Sequence, residues 1–349
     1  MMLPRPCIHV LGAGAVGLLH AAHLSRAASP LSTTSPLIML LLRQSRLTAF
    51  PPDGFWLTQT CASSAMASIQ RHQRIQVKLP FQDTHHATPI STLILSTRAH
   101  QAWPALQSVL HRLTPSPTIL LLQNGVLAVH DEIQRNLTLA RPDLHPTFLL
   151  GLTTHGITRS ATDPFDLDHV GFGNTIIGCA LPTHTKDMDA NNSRHTPTAA
   201  NALLDILSSG WKSLDVFVKP PTELTSHLML KLIVNACINP VVALLGRPNG
   251  TLLSTPDGPE LVMSLCAELA PLALPHLKSL NILSIDSMAA AVMDVVRKTH
   301  LNRNSMLVDI DNGNNTEIEY LNGYLIQLAN KQGMSLPMHS LLTRMIRLK

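Results

Sequence analysis

The sequence predicts an α/β domain followed by an all-helical domain. Up to about residue 218, short apolar runs of strand length alternate with helical patterns and polar loops. After Pro220-Pro221 the apolar residues recur at helical spacing instead. A chain of 349 residues is long for one domain, and its length alone favours two. We therefore predict domains of residues 1–220 and 221–349.

A glycine-rich turn separates the first predicted strand from the first predicted helix. The apolar run Cys7–Leu11 leads directly into GAGAVG, residues 12–17, and a helical pattern follows. In a GxGxxG turn of this kind, the first glycine permits the tight turn and the second lets a pyrophosphate approach the backbone. The third lets helix and strand pack closely, and the amides at the start of the helix favour an anion.

This turn defines the predicted fold class and cofactor site. The fold is an α/β Rossmann-type dinucleotide-binding domain followed by an all-α C-terminal domain. The alternative is a glycine-rich turn without a ligand. The predicted cofactor contacts in the turn are Gly12, Ala13, Gly14, Ala15, Val16 and Gly17.

Further apolar runs complete the predicted sheet. Uninterrupted runs such as Leu37–Leu42 are typical of parallel strands that are buried on both faces. The polar segments 25–36 and 181–199 are predicted to be a surface loop and an exposed insertion. The other predicted strands are Ile90–Ser96, Thr118–Gln123, 147–154, 174–179 and Val216–Val218, with strand-like pieces near Phe55–Gln59 and Ile75–Leu79.

Arg43 follows directly on the second predicted strand. A domain selective for NAD carries an acidic residue at this place, where it binds the ribose hydroxyls. An arginine suits the 2′-phosphate of NADP instead, and Arg46 is a candidate helper. The sequence therefore favours NADP(H), and the alternative is a surface arginine at a strand end.

The apolar stretch Leu228–Gly246 predicts a buried helix with a narrow polar stripe. Its strongly polar residues before the last turn are Lys231, Asn235 and Asn239. Their i, i+4, i+8 spacing places all three on one face of a helix with about 3.6 residues per turn. A buried amine or carboxamide without a partner costs on the order of 1–3 kcal/mol. The stripe therefore faces a ligand or, as the alternative, water or a neighbouring helix.

The remainder of the second half is also predicted to be helical, with patterns at about 257–279 and 286–300. A polar loop, 302–315, precedes a last pair of helices. Thr316 is the predicted N-cap of the first of these, which places Glu317 in its first turn. Gly333 is predicted to end that helix.

Composition and charge exclude several classes of partner. A net charge of +4 with 14% charged residues and no dense basic block does not indicate nucleic-acid binding. No apolar run reaches the roughly 18 residues that a membrane span requires. The opening segment favours a strand–turn–helix over a signal peptide.

The cysteines and histidines bear on the cellular compartment and on metal binding. The five cysteines are scattered, which is typical of free thiols in a reducing compartment. The 18 histidines form no recognisable metal-ligand set, so no metal is expected. We expect a cytoplasmic protein, with a mitochondrial location and a homodimer left open.

Several motifs occur in an order that points to one family. They are GAGAVG, QNG after the fifth strand, LKLIVNACINP, RPNG and SMLVDIDNGNNTEIEYLNGY. Together they resemble the ketopantoate reductase family (2-dehydropantoate 2-reductases) over nearly the whole chain, and the last three are specific. The resemblance implies an NADPH-binding Rossmann domain packed on a helical domain, with the active site in the cleft between them. It also implies reduction of 2-dehydropantoate to pantoate, an intermediate of pantothenate and coenzyme A synthesis.

The resemblance implies a role for individual residues. Lys231 is similar to the general acid that protonates the alkoxide as hydride arrives at the ketone carbon. Glu317 resembles an acidic residue that bridges the lysine, the substrate hydroxyl and the cofactor. The implied substrate contacts are Asn235, Asn239, Asn249, Asn302 and Ser305, and the implied cofactor contacts outside the first turn are Arg43, Arg98, Asn124, Gly156 and Glu317.

The chemistry of ketone reduction requires such a set. Hydride transfer leaves negative charge on oxygen, and a positioned ammonium both stabilises and protonates it. Partial burial among apolar side chains should lower the pKa of Lys231, and Glu317 should oppose that shift. Arg98, in STRAHQ, stands where the family usually has a lysine, so positive charge is kept on a planar guanidinium.

Two other functions stay open from the sequence. One is a reductase of another small oxo acid. The other is a non-enzymatic relative on the same fold, for example with a regulatory role in mitochondrial gene expression. An enzyme is favoured because five polar residues of the implied site are retained together, namely Lys231, Asn235, Asn239, Ser305 and Glu317.

Overall fold

The computed structural model describes residues 6–27, 35–62, 70–160, 163–181 and 198–349. The predicted loops at 25–36 and 181–199 lie mostly outside these residues. Contacts divide the chain into two compact units, Met1–Gln123 with Val129–Pro221, and Asn124–Ala128 with Thr222–Lys349. Residues 124–128, predicted to belong to the first domain, thus group with the second unit. The physical reason is a close approach, since a Cβ on Gly125 would lie 2.6 Å from the carbonyl oxygen of Tyr320.

The first unit is built on two sheets. The strands are β1 (Cys7–Leu11), β2 (Leu37–Leu42), β3 (Phe55–Ala62), β4 (Gln70–Val77), β5 (Phe81–Asp83), β6 (Ile90–Leu95), β7 (Leu113–Leu121), β8 (Thr147–Thr153), β9 (Gly156–Arg159), β10 (Leu167–Gly171), β11 (Thr175–Cys179) and β12 (Val216–Val218). In the described part of the chain, an eight-stranded sheet has the order β12-β11-β8-β7-β6-β1-β2-β5, and a smaller sheet has the order β4-β3-β10-β9. All neighbours in the large sheet are parallel except β8 and β11.

Helices complete the first unit and form the second. The mixed α/β first unit and helical second unit match the predicted fold class, which is confirmed. The helices are α1 (Ala15–Ala27), α2 (Gln44–Leu47), α3 (Ala102–Gln107), α4 (Val126–Ala140), α5 (Thr198–Gly210), α6 (Pro221–Leu245), α7 (Asp257–Leu277), α8 (Ile285–Lys298), α9 (Ser305–Asp311), α10 (Asn322–Lys331) and α11 (Pro337–Arg347).

Helix α6 begins earlier than its predicted start at Leu228. Pro221 fits the first helical position because its fixed φ is already helical and its missing N–H has no intrahelical acceptor there. The helix ends as predicted at Gly246, whose φ is +66°. The amide of Gly246 donates to Ala243 O and that of Arg247 to Val242 O. This pair of hydrogen bonds is the pattern of a Schellman cap.

Helix α6 lies in the core of the second unit. Its Ile233, Cys237 and Val242 are fully buried in one cluster with Cys266 and Leu269 of α7. By the criterion of length and mean hydropathy, α6 and the segment Asp257–Leu280 could each cross a membrane. The sequence did not predict this, because single polar residues interrupt their apolar runs. Core helices satisfy the same criterion, and most of the apolar window of α6 is buried.

The polar segment 302–315 was predicted to be a loop, but it contains helix α9. Asn304 caps the start of this helix, because its side-chain oxygen accepts a hydrogen bond from the amide of Leu307. The prediction was wrong because a seven-residue helix that begins in an Asn-rich stretch has too short an apolar pattern to be recognised.

Buried histidines connect the sheets and α1 of the first unit. Gln59 Nε2 donates to His23 Nε2 (3.1 Å) and to His169 Nδ1 (3.3 Å). His169 Nε2 donates to His155 Nδ1 (3.0 Å), and His155 Nε2 donates to Leu214 O (3.0 Å). Each ring accepts at one nitrogen, so the chain of hydrogen bonds requires neutral histidines. Burial lowers the pKa of His23 and His169 to about 4.

We expect this histidine network to make the first unit acid-sensitive. An unfolded histidine titrates near pH 6.5, so between pH 6.5 and about 4 the unfolded state binds more protons. The free energy of unfolding is therefore highest above pH 6.5 and falls as the pH is lowered through this window, by on the order of 3 kcal/mol for each fully neutral histidine. Thermal unfolding between pH 7.5 and 4.5 (about three pH units) measures it.

A matched pair of variants assigns this acid sensitivity. His169→Gln should flatten the dependence of unfolding on pH, whereas His86→Gln, at an exposed site, should not. An unchanged slope in His169→Gln would show that the network does not control acid stability.

Candidate functional site

The glycine-rich turn between β1 and α1 has the geometry expected of a phosphate-binding turn. Gly12 has φ +123°, and a Cβ there would lie 2.7 Å from the backbone carbon of Ser96. A Cβ on Gly17 would lie 2.0 Å from Gly12 O. A Cβ on Gly14 would have no neighbour closer than Ser96 O at 3.9 Å. Two glycines are therefore required by packing, and the third leaves open space beside the turn where a pyrophosphate could approach.

Two arginines converge on this turn. Arg46 Nη1 and Arg159 Nη2 both donate to Ala13 O, at 3.4 and 3.1 Å. Partial burial lowers the pKa of the Arg159 guanidinium, and the nearby charges of Arg46 and Arg98 lower it further. The turn is thus flanked by positive charge that an anion would stabilise.

The other predicted cofactor contacts of the first unit lie at strand ends. Arg43 is exposed at the end of β2, and Arg98 is exposed where the chain leaves β6. Gly156 is the first residue of β9, and Arg159 is its last. Sequence reasoning missed Arg159 because β9 is a short polar strand without a motif, and only its proximity to Gly156 could have indicated it.

In the second unit, the stripe on α6 carries a lysine with a shifted pKa. Lys231 and Asn235 are partly buried, and Asn239 is buried. Burial lowers the pKa of Lys231 to about 8, while the negative charge of Glu317 opposes this shift. Both effects were expected from the sequence. An ammonium with a pKa near 8 can donate a proton close to neutral pH.

Glu317 lies near Lys231, as predicted, but its local backbone structure differs from the predicted helix. It precedes a single 3₁₀ turn, Ile318–Tyr320, and α10 begins only at Asn322. Leu321, with φ −107° and ψ −95°, interrupts the helical backbone between turn and helix, so Thr316 does not cap a longer helix. The buried carboxylate of Glu317 accepts a hydrogen bond from Asn124 Nδ2 at 3.4 Å. The structure therefore brings Lys231, Glu317 and Asn124 together.

The remaining predicted substrate residues form a second group, held by its own hydrogen bonds. Asn249 is buried, donates from Nδ2 to Thr299 Oγ1 (2.9 Å), and accepts from Asn304 Nδ2 (3.2 Å). Its amide donates to Asn302 O at 3.0 Å. The residues Asn302 and Ser305 are exposed. Asn304 links this group to the start of α9. It was not predicted, because the implied substrate contact in this stretch was the neighbouring Ser305.

Family models match both units of the chain. The model of ketopantoate reductase PanE/ApbA matches residues 8–182, and the model of its C-terminal domain matches residues 223–349. The chain belongs to the ketopantoate reductase family. The resemblance identified from the motifs is confirmed, and membership makes this protein an oxidoreductase that acts on a CH–OH group.

Known ketopantoate reductases and solved structures support this assignment. The chain is 31% identical to 2-dehydropantoate 2-reductase of Yersinia pestis over 271 residues, which cover 78% of each chain. The crystal structure of probable 2-dehydropantoate 2-reductase PanE from Bacillus subtilis is similar, with a TM-score of 0.68, 25% identity and coverage of 98% of this chain and 99% of that one.

A structure with a different name shares the fold of the ketopantoate reductase family. D-mandelate dehydrogenase, solved with NADH and anilino(oxo)acetate, has a TM-score of 0.72 at 20% identity and covers 98% of this chain and 97% of its own. This likeness concerns the fold alone.

Proposed function

We propose that this ketopantoate reductase family member reduces 2-dehydropantoate to pantoate with NADPH, a step of pantothenate and coenzyme A biosynthesis, and that Lys231 is the general acid. The observation that carries the proposal is the ammonium of Lys231 beside Glu317. Burial brings its pKa to about 8, so that it remains protonated near pH 7 and yet releases its proton readily. The names of the relatives supply the substrate.

The protein residues would act on the substrate oxygen. NADPH, when bound, supplies a hydride to the ketone carbon. Negative charge then develops on the oxygen, where the Lys231 ammonium stabilises it and donates the proton that completes the alcohol. Glu317 holds the ammonium in place and, through its hydrogen bond with Asn124, is itself fixed. The carboxamides of Asn235 and Asn239, on the same face of α6, would bind the substrate, together with Asn249, Asn302 and Ser305.

The proposed NADP(H) site lies mainly in the first unit. The open side of Gly14 would admit the pyrophosphate, and the amides of Ala15 and Val16 at the start of α1 would face it. Arg43, at the end of β2, would bind the 2′-phosphate that distinguishes NADPH from NADH. Arg98 and Gly156 are proposed as further contacts in this unit, and Asn124 as a contact from the second unit.

Two arginine variants should separate the phosphates of the cofactor. Arg43→Gln should weaken NADPH binding about tenfold or more and leave NADH binding unchanged, because only NADPH has the 2′-phosphate. Arg159→Gln should weaken both cofactors alike, since its hydrogen bond to Ala13 O places it at the turn for the shared pyrophosphate. Dissociation constants from cofactor fluorescence measure both effects. A selective loss of NADPH binding in Arg159→Gln would reverse these assignments.

The alternative functions differ in substrate. The second candidate is a reductase of another 2-oxo acid, whose different pattern of hydroxyl groups the asparagines of the α6 stripe would bind. Steady-state assays with a panel of oxo acids of increasing size, each with NADPH and NADH, test the choice. A kcat/KM that is highest for 2-dehydropantoate supports the proposal, and a higher value for another 2-oxo acid supports the second candidate. Inactivity with every oxo acid, from protein that binds NADPH, supports a non-enzymatic role.

A further inference from the structure

Helix α6 contains a proline beyond its polar stripe. Pro240 lies inside the helix and has no N–H. In a regular helix, the amide at this position would donate to the carbonyl of Ala236, one turn earlier. That carbonyl therefore needs another donor, because a buried backbone oxygen without a partner is costly.

The donor is Asn322, at the start of α10. Its Nδ2 lies 3.1 Å from Ala236 O, and its second N–H donates to His339 Nδ1 at 2.9 Å. His339 in turn donates from Nε2 to Leu265 O at 3.2 Å, so its Nδ1 is an acceptor and the orientation of the Asn322 amide is fixed. Asn322 is fully buried, and its Oδ1 has no partner among the described residues. This side chain is held in place by its two N–H groups.

The hydrogen bond from Asn322 to Ala236 joins the two segments that carry the acid-base pair. Ala236 follows Lys231 on α6, and Asn322 follows Glu317 by the same number of residues. The intervening segment is short and closed on itself, because Tyr320 N donates to Glu317 O (3.0 Å) and Leu321 N donates to Ile318 O (3.3 Å). A displacement at Asn322 would therefore be transmitted to Glu317.

We propose that Asn322 is a positioning residue, which uses the carbonyl released by Pro240 to hold Glu317 against Lys231. This inference rests on the proposed function, since it assigns to the Lys231–Glu317 pair the role of proton donor. Asn322 does not touch the reacting atoms. It acts by fixing the distance between the carboxylate and the ammonium.

The loss of this contact has a signature that general destabilisation lacks. Glu317 raises the pKa of Lys231 against the effect of burial. If Glu317 moves away, the pKa of Lys231 falls, and the decline of kcat on the alkaline side begins at a lower pH. A variant that merely contains fewer folded molecules would keep the wild-type pH profile.

The test is a double-mutant cycle between positions 240 and 322 in the full chain. Asn322→Leu removes both N–H donors at nearly constant volume, and Asn330→Leu makes the same change at an exposed position of α10. Pro240→Ala restores an N–H that can bond to Ala236 O within α6. We expect Asn322→Leu to lower kcat about tenfold and to shift the alkaline limb down by about half a pH unit. Asn330→Leu should do neither.

In the Pro240→Ala background, Asn322→Leu should cost at most about threefold in kcat and leave the pH limb in place. Its effect on the thermal unfolding midpoint should also be smaller there than in the wild type. Additive effects on the midpoint would overturn the proposed contact, and an unmoved pH limb in Asn322→Leu would overturn the positioning role. If Asn322→Leu does not fold, Asn322→Ala is measured instead, since its smaller side chain leaves room for a bridging water.

The double-mutant cycle measured by thermal unfolding midpoints does not require an active enzyme. A wild-type protein that does not reduce 2-dehydropantoate would refute the proposed function, while coupling between positions 240 and 322 would still be measured.

Discussion

Replacing Lys231 with alanine is expected to lower kcat for 2-dehydropantoate reduction by at least about 10²-fold. The variant loses both the charge that stabilises the developing alkoxide and the proton that completes the alcohol. It should bind NADPH with unchanged affinity, because the glycine-rich turn and its arginines belong to the other unit. Steady-state kinetics with a direct binding measurement separate the two effects.

Lys331→Ala is the matched control for this prediction, because it removes an exposed lysine of α10 in the same unit. It should retain wild-type kcat. The wild-type kcat for reduction should also decline above about pH 8, where Lys231 loses its proton. A Lys231→Ala variant with more than about a tenth of wild-type kcat would rule out this lysine as the general acid.

The second large effect is expected at the glycine-rich turn, where two alanine substitutions should each weaken NADPH binding, but for different reasons. Gly17→Ala places a Cβ 2.0 Å from Gly12 O, so β1 and α1 must move apart and the first unit is destabilised. Gly14→Ala meets no protein atom closer than 3.9 Å and should fold normally. It should nevertheless weaken NADPH binding about 10²-fold, because its methyl group occupies the space for the pyrophosphate.

Thermal unfolding and NADPH titration of both variants test this distinction. The expected result is a lowered unfolding midpoint for Gly17→Ala and an unchanged one for Gly14→Ala, with weak binding in both. Normal NADPH affinity in Gly14→Ala would mean that the cofactor does not approach the turn from the open side of Gly14.

Every strand of the large sheet except β5 was predicted from the sequence, whereas the small sheet was indicated only by strand-like pieces at β3 and β4. The bounds of β1 and β2 agree with the predicted ones, because strands buried on both faces are uninterrupted apolar runs. Strands β9 and β10 have mixed polar sequences that no local pattern distinguishes from loops. Their sheet depends on pairing between β10 and β3, which are far apart in the sequence.

The candidate site shows the same limit. The spacing of Lys231, Asn235 and Asn239 predicted their common face on α6, because helical periodicity is a local property. The approach of Arg159 to Ala13 joins residues far apart in sequence, and local periodicity gives no sign of it. The backbone at Glu317 was also predicted wrongly, since the break at Leu321 has no glycine or proline to indicate it.

The proposal that this protein is a ketopantoate reductase is tested most directly by NADPH oxidation with 2-dehydropantoate. The purified protein should consume NADPH only when the oxo acid is present and should form one pantoate for each NADPH oxidised. Folded protein that binds NADPH but shows no turnover at millimolar 2-dehydropantoate would contradict the account.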